Sequence, residues 1–177
     1  MSDQYRIRMA EQEDCSAIMS IKNEAILSST FVYDEETQDL SFYQQWLAEK
    51  EAAGWPVFVI CPADEPKQVC GYASYGSFRH FSAYRYTVEH SIYIEKSQRK
   101  HGLGKRLLEH IMADAAERGY HLMVAVIDSE NSGSRKLHEQ IGFTYNGLIP
   151  ACGQKFGQWL DIVYYSYILG SDSELEA

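Results

Sequence analysis

Apolar and polar residues alternate at Tyr5-Arg6-Ile7-Arg8-Met9, a period of two that predicts a first strand; from Glu11 to Ile26 the apolar Ile18, Ile21 and Ala25 recur at helical spacing. Ser28 to Tyr33 is rich in hydroxyl and aromatic groups and poor in helix formers, and reads as a loop. Thr37 or Asp39 is placed to cap a second helix, Leu40 to Ala53, whose stripe of Phe42, Trp46 and Leu47 ends at Gly54. Val57 to Cys61 is a short apolar strand. The turn chemistry of Pro62 to Pro66 returns the chain through a strand from Val69 to Ser77, so a hairpin is expected, with Gly71 and Gly76 marking bulges or the close approach of another group.

A loop, Phe78 to Arg85, leads into a strand from Tyr86 to Ile94. After Arg99-Lys100-His101-Gly102-Leu103-Gly104 the residues Leu103, Leu107, Leu108, Ile111, Met112 and Ala115 make one apolar helical face, stopped by Gly119. Leu122 to Ile127 is apolar on both faces, as an interior strand is. Asp128 to Asn131 offers cap residues for a helix through Leu137 and Ile141, closed by Gly142. Phe143 to Leu148 and Leu160 to Leu169 read as two last strands joined by a long connection containing Lys155 to Trp159. The order is strand, helix, helix, three strands, helix, strand, helix, two strands. Residues 1–170 are expected to form one domain, and the acidic residues 171–177 a disordered tail.

Composition narrows the partners. A formal net charge of −9 argues against nucleic acid or an anionic membrane, so any anion must be bound locally. No apolar run reaches the roughly 18 residues that span a bilayer, and Met1-Ser2-Asp3-Gln4 lacks the basic and apolar regions of a signal peptide, so a cytoplasmic protein is expected. Cys15, Cys61, Cys70 and Cys152 show no metal or redox spacing and read as small buried apolar residues, without a disulfide. His80, His90, His101, His110 and His121 form no ligand pattern, and no metal is expected.

The candidate chemistry begins at the basic glycine loop. Two glycines one residue apart at a helix start let several N–H groups point one way, and the helix adds partial positive charge there. With Arg99, Lys100 and Lys105 around it, the loop suits a pyrophosphate; the plainer alternative is a helix N-terminus with ordinary glycines. A dinucleotide fingerprint fails because position 107 is Leu107, and a Walker loop fails because Lys105 is followed by Arg106. The Arg/Gln-x-x-Gly-x-Gly pattern after a strand resembles the coenzyme A pyrophosphate loop of the GNAT N-acetyltransferases. Asn131-x-x-Ser134-x-x-x-His138-x-x-x-Gly142-Phe143 supports that resemblance. The blocks Tyr86-x-Val88-Glu89-His90-Ser91-Ile92-Tyr93 and Gly153-x-Lys155-Phe156-Gly157-x-Trp159-Leu160-Asp161 resemble the phosphinothricin and methionine-sulfoximine acetyltransferases and the related L-amino-acid N-acyltransferases.

This resemblance, from Arg6 to Leu169, implies an α/β (α+β) fold with a mixed central sheet of about seven strands flanked by about four helices. It implies acetyl-CoA as co-substrate, held by the backbone of Ile92, Tyr93 and Ile94, by the Arg99 to Lys105 loop with His101 and Leu103, and by Asn131 and Ser134. Glu89 becomes the candidate base, directly or through a water, and His138 the candidate that orients or protonates the departing sulfur. For an acceptor carboxylate, Arg79 and Arg85 are the cations of the aromatic loop that also holds Ser82, Ala83 and Tyr84; surface ion pairs are their alternative reading. Phe31, Tyr33, Tyr84 and Trp159 are candidate walls of the side-chain pocket. Relatives commonly pair as dimers, so a homodimer is expected. The alternatives are acetylation of a polyamine or a protein N-terminus, or a non-catalytic acyl-CoA sensor.

Overall fold

The computed structural model describes residues 4–170. Seven strands, β1 (Tyr5–Met9), β2 (Val57–Pro62), β3 (Gly71–Ser77), β4 (Thr87–Ile94), β5 (Leu122–Asp128), β6 (Thr144–Lys155) and β7 (Gln158–Ile168), lie in one mixed sheet in the order β1-β2-β3-β4-β5-β7-β6. Four helices accompany them: α1 (Cys15–Ser28), α2 (Leu40–Ala52), α3 (Leu103–Glu117) and α4 (Ser132–Ile141). The chain divides into two compact units, one made by the segments up to Ser74 and Ser91–Leu108, the other by Tyr75–His90 and the segment from Glu109 on.

In the first unit β1, β2 and β3 pair antiparallel, with Ile7 opposite Ile60 and Val59 opposite Tyr72. Its core gathers Cys15, Ile18, Ile21, Tyr43, Leu47, Val57, Val59 and Tyr72. The turn into α1 is fixed by Asp14, which is buried and takes two hydrogen bonds from Arg8, at 2.6 and 2.8 Å. Asp39 caps α2 by accepting from the Phe42 N–H. The buried stripe of α2 is Tyr43 and Leu47, whereas Phe42 is exposed, a one-residue rotation of the expected face. Tyr43 wins the inner position because its ring packs among other aromatics, edge-on to Trp46. At Gly71 an added Cβ meets Tyr93 O at 2.8 Å and Ile94 Cδ1 at 2.6 Å, so close approach of β4, and not a bulge, accounts for that glycine.

In the second unit β5 is interior: it pairs parallel with β4 through Thr87, Val88 and Glu89, and antiparallel with β7 over seven residues from Leu122 to Asp128. The long connection expected before Trp159 is instead strand. β6 runs on to Lys155, and Phe156 (φ 50°) with Gly157 (φ 75°) makes a two-residue turn into β7. Two positive φ angles match the twist of a hairpin, but Phe-Gly is not the usual sequence signal for one. Register shifts between Tyr145 and Gly147 and between Ile149 and Gly153 broke the alternation that reveals a strand. At the second, Asp161 accepts from the Ala151 N–H at 2.7 Å.

Cys15, Cys61 and Cys70 are buried and Cys152 is exposed, which corrects the expectation for Cys152 alone; all four are free thiols. The acidic tail expected at 171–177 lies outside the described residues. Among the described residues no helix is long and apolar enough to cross a membrane, and no cluster of three or more His, Cys, Asp or Glu is arranged to hold a metal.

Candidate active site

Side chains alternate along β4, so Glu89 faces away from Val88 and His90. The Glu89 carboxylate lies 3.5 Å from the Arg79 guanidinium, both partly exposed. Burial raises the Glu89 pKa above its ordinary 4.5, and the nearby Arg79 charge opposes that rise. Arg79 is itself steered by its neighbour: its guanidinium stacks 4.0 Å over the Phe78 ring and donates to Phe78 O at 2.6 Å. Arg85 lies over Tyr86, 4.7 Å from the ring centroid. Ser82, Ala83 and Tyr84 form a single 3-10 turn, and the Tyr84 ring meets Phe78 edge-on. Arg79 is thus the arginine set beside the candidate base.

Asn131 caps α4, its side-chain oxygen accepting from the Ser134 N–H at 3.1 Å. One turn on, His138 is buried, with Nδ1 2.7 Å from Ser134 O. A carbonyl only accepts, so that nitrogen carries the proton and Nε2 is left with a lone pair. His90 Nε2 sits 3.1 Å from it and must donate. The His90 ring stacks on that of His138, and its other nitrogen, Nδ1, is buried with no hydrogen-bond partner among the described residues. Both nitrogens of His138 are engaged, so the ring reaches a sulfur only by giving up one of these contacts. In the sequence His90 belongs to no ligand pattern, and nothing there pairs it with His138.

Burial pushes both imidazoles below their ordinary 6.5, His90 to about 3 with His138 also contributing. Folded His90 therefore refuses a proton that the unfolded chain accepts. Its stabilising effect is complete above pH 6.5 and is lost as pH falls toward 3, at about 1.4 kcal/mol per pH unit. His90→Phe, which keeps a ring beside Phe143 without titrating, is expected to flatten that slope in urea unfolding at pH 4.5–7.5. A slope equal to wild type would show that His90 takes up its proton in the folded state.

In the first unit the end of β4 enters the glycine loop. Arg99 Nε donates to Ile94 O at 3.2 Å, and its guanidinium lies 3.5 Å from Glu24. Lys100 (φ 67°) and Gly102 (φ 77°) are left-handed, and His101 Nδ1 lies 3.2 Å from Gln98 O. Leu103 is buried and opens α3, so it anchors the helix while Gly104 is already helical. The first N–H groups of α3 have no partner within the helix, and Lys105 lies in that turn. These residues fit a pyrophosphate. Gly102→Val is expected to weaken coenzyme A binding about tenfold or more in calorimetry, because a left-handed L-residue costs about 1–2 kcal/mol. Unchanged affinity in the folded variant would place the pyrophosphate elsewhere.

The same unit holds a cavity of about 250 Å³. Its lining includes Lys22, Asp34, Trp46, Tyr72 and Tyr93, and it does not include the expected Phe31 and Tyr33. The missed signal was Lys22 itself, a cation at helical spacing between Ile18 and Ile26 on the buried face of α1.

A sheet whose fourth strand passes into a glycine loop and helix N-terminus, with a carboxylate on that strand, is the architecture of an acyl-coenzyme A transferase. A model of the acetyltransferase (GNAT) domain matches residues 7–164, and the chain belongs to that family. It is 40% identical over 158 residues to an L-methionine sulfoximine/L-methionine sulfone acetyltransferase of Salmonella typhimurium, covering 89% of this chain and 91% of the relative. It is 38% identical over 171 residues to the L-amino acid N-acyltransferase MnaT of Escherichia coli, covering 97% and 98%. The structure of a phosphinothricin acetyltransferase from Sinorhizobium meliloti in complex with acetyl-CoA superposes with a TM-score of 0.88 at 33% identity, over 94% of this chain and 89% of that one. The protein is an acetyl-CoA-dependent N-acetyltransferase.

Proposed function

We propose that this enzyme acetylates the α-amine of a small amino acid or analogue, of the kind that methionine sulfone, methionine sulfoximine and phosphinothricin represent, by direct transfer with Glu89 as general base. The observation that carries the mechanism is the half-buried Glu89 carboxylate beside Arg79. Bound acetyl-CoA supplies an activated thioester acyl group; the protein must supply a neutral amine. An α-ammonium gives up its proton at a cost of about 1.4 kcal/mol per pKa unit above ambient pH, and a carboxylate held in a partly desolvated place is a better base than one in water. Arg79 links binding to that chemistry. Its fork suits the acceptor carboxylate, and taking up that carboxylate draws the guanidinium from Glu89, which then loses its counter-charge and becomes more basic as the amine arrives.

The loop from Arg99 to Lys105 binds the pyrophosphate through backbone N–H groups and side-chain charge, and Asn131 presents its amide N–H₂ to the coenzyme while its oxygen stays on the helix cap. Thiol release from acetyl-CoA, measured across amino acids, their sulfone and phosphinate analogues, polyamines and N-terminal peptides, tests the acceptor class. Turnover confined to free amino acids and their analogues is expected. Turnover confined to polyamines or peptides overturns the acceptor, and none with any amine overturns the activity.

A further inference from the structure

The His90 and His138 rings face each other through their Nε2 atoms, 3.1 Å apart, and their planes differ by 14°. Phe143 meets both edge-on, 5.0 Å from the His138 ring centroid and 5.9 Å from that of His90, and is itself backed by Tyr167 at 5.4 Å. The two imidazoles are thus held from the side as well as end to end.

Their partners fix where the protons lie. Ser134 O only accepts, so His138 Nδ1 donates to it. Burial pushes both rings below their ordinary 6.5, so at pH 7 each carries one proton, and His138 Nε2 must accept from His90. Moving the His90 proton to its own Nδ1 would set two lone pairs against each other and bury a donor with no acceptor among the described residues.

The two contacts of His138 are unequal. The Ser134 carbonyl lies one turn back along α4 and keeps the His138 backbone N–H as a partner when the ring lets go. A deserted His90 Nε2–H would be a buried donor left unpaired. The contact that yields to a ligand is therefore the one at Nδ1, and the ring then presents an N–H while Nε2 stays on His90.

We propose that His90 is a positioning residue for acetyl transfer: its Nε2–H fills the His138 Nε2 lone pair and commits the one proton of His138 to Nδ1, so that His138 meets the departing sulfur as a neutral hydrogen-bond donor and not as an acid. This rests on the reading that sets His138 at that sulfur, and adds what makes the ring a donor there. As the acyl carbon passes from sulfur to nitrogen, the amine lone pair forms the new bond and the carbon–sulfur electrons stay on sulfur. The proton that nitrogen sheds goes to Glu89. The His138 N–H steadies the sulfur charge without leaving the ring, and the thiolate takes its proton from water, so neither buried ring becomes charged.

The test joins spectroscopy of the free protein to kinetics. Nitrogen NMR of protein labelled in its histidine rings separates N–H from bare ring nitrogens, and the wild type at pH 7 is expected to carry its protons on His138 Nδ1 and His90 Nε2 alone. In His90→Gln the amide nitrogen stands where Nε2 stood and still donates, so the His138 proton should stay on Nδ1. In His90→Phe it should be shared between the two nitrogens. On the best acceptor, kcat should fall about tenfold in His90→Phe and return close to the wild-type value in His90→Gln, with the KM values for amine and acetyl-CoA level. His90→Leu, which also lacks a donor, takes the place of His90→Phe if the larger ring does not fit. A wild-type His138 that is charged, or protonated at Nε2, overturns the proposal whatever the variants do. Equal kcat in the wild type and the variant without a donor, or an equal fall in that variant and His90→Gln, overturns it as well. A His138→Phe variant as fast as the wild type overturns the contact with sulfur itself, even where the proton positions are those stated.

Discussion

Glu89→Gln is expected to lower kcat by about 10²–10⁴-fold while leaving coenzyme binding intact. The amide keeps the length and shape of the carboxylate but takes no proton. It also no longer holds Arg79 as an ion pair, so the acceptor carboxylate meets less competition and its KM should stay level or fall. The pH profile carries a second signature. Burial raises the Glu89 pKa, so the wild-type rate should climb through an acid limb above the ordinary carboxylate value of 4.5. The Gln variant should lack that limb and regain rate only at high pH, where the free amine is abundant. A variant as fast as wild type at pH 7 on the best acceptor would sink the assignment and move the base to a water chain or another residue.

Arg79→Ala should raise the acceptor KM about 10–100-fold, the scale of one lost charge-assisted contact, with little change in the KM for acetyl-CoA. The sign of its effect on the base is opposite to that of a merely structural loss. Arg79 favours the charged form of Glu89, so its removal raises the carboxyl pKa further and shifts the acid limb of kcat/KM to higher pH. In the wild type, the exchange of Arg79 from base to substrate predicts a higher acid-limb pKa in kcat than in kcat/KM. Equal kcat/KM on an amino acid and its carboxamide would remove the reason for the clamp.

The elements that were legible in the sequence are those whose period is unbroken. β1, α3 and β5 show one rhythm from end to end, and Asp39, Asn131 and Gly142 declare helix ends by chemistry that acts within a few residues. β6 was read short because its register shifts place three successive side chains outside the alternation, and because a Phe-Gly turn depends on the pairing it closes. The glycine loop was visible since backbone freedom is written as glycine. The left-handed Lys100 was not, since a lysine there is held by its surroundings. Glu89 and Arg79 were each identified, but their mutual approach is a property of the fold. Lys22 shows the remaining limit: a cation on an apolar helical face reads as an interruption until the rings of α2, β3 and β4 close around it.

Asn131 spends its two polar ends on different tasks. The oxygen is committed to the Ser134 N–H, which leaves only a donor to face outward. Aspartate is as good a helix cap but has nothing to give away, so the position tolerates it as a matter of folding and forbids it wherever the outer partner is itself an oxygen. Directionality, and not size or charge, is what the start of α4 encodes, and in the proposed reading the coenzyme's amide carbonyls and phosphates are groups of the matching sense.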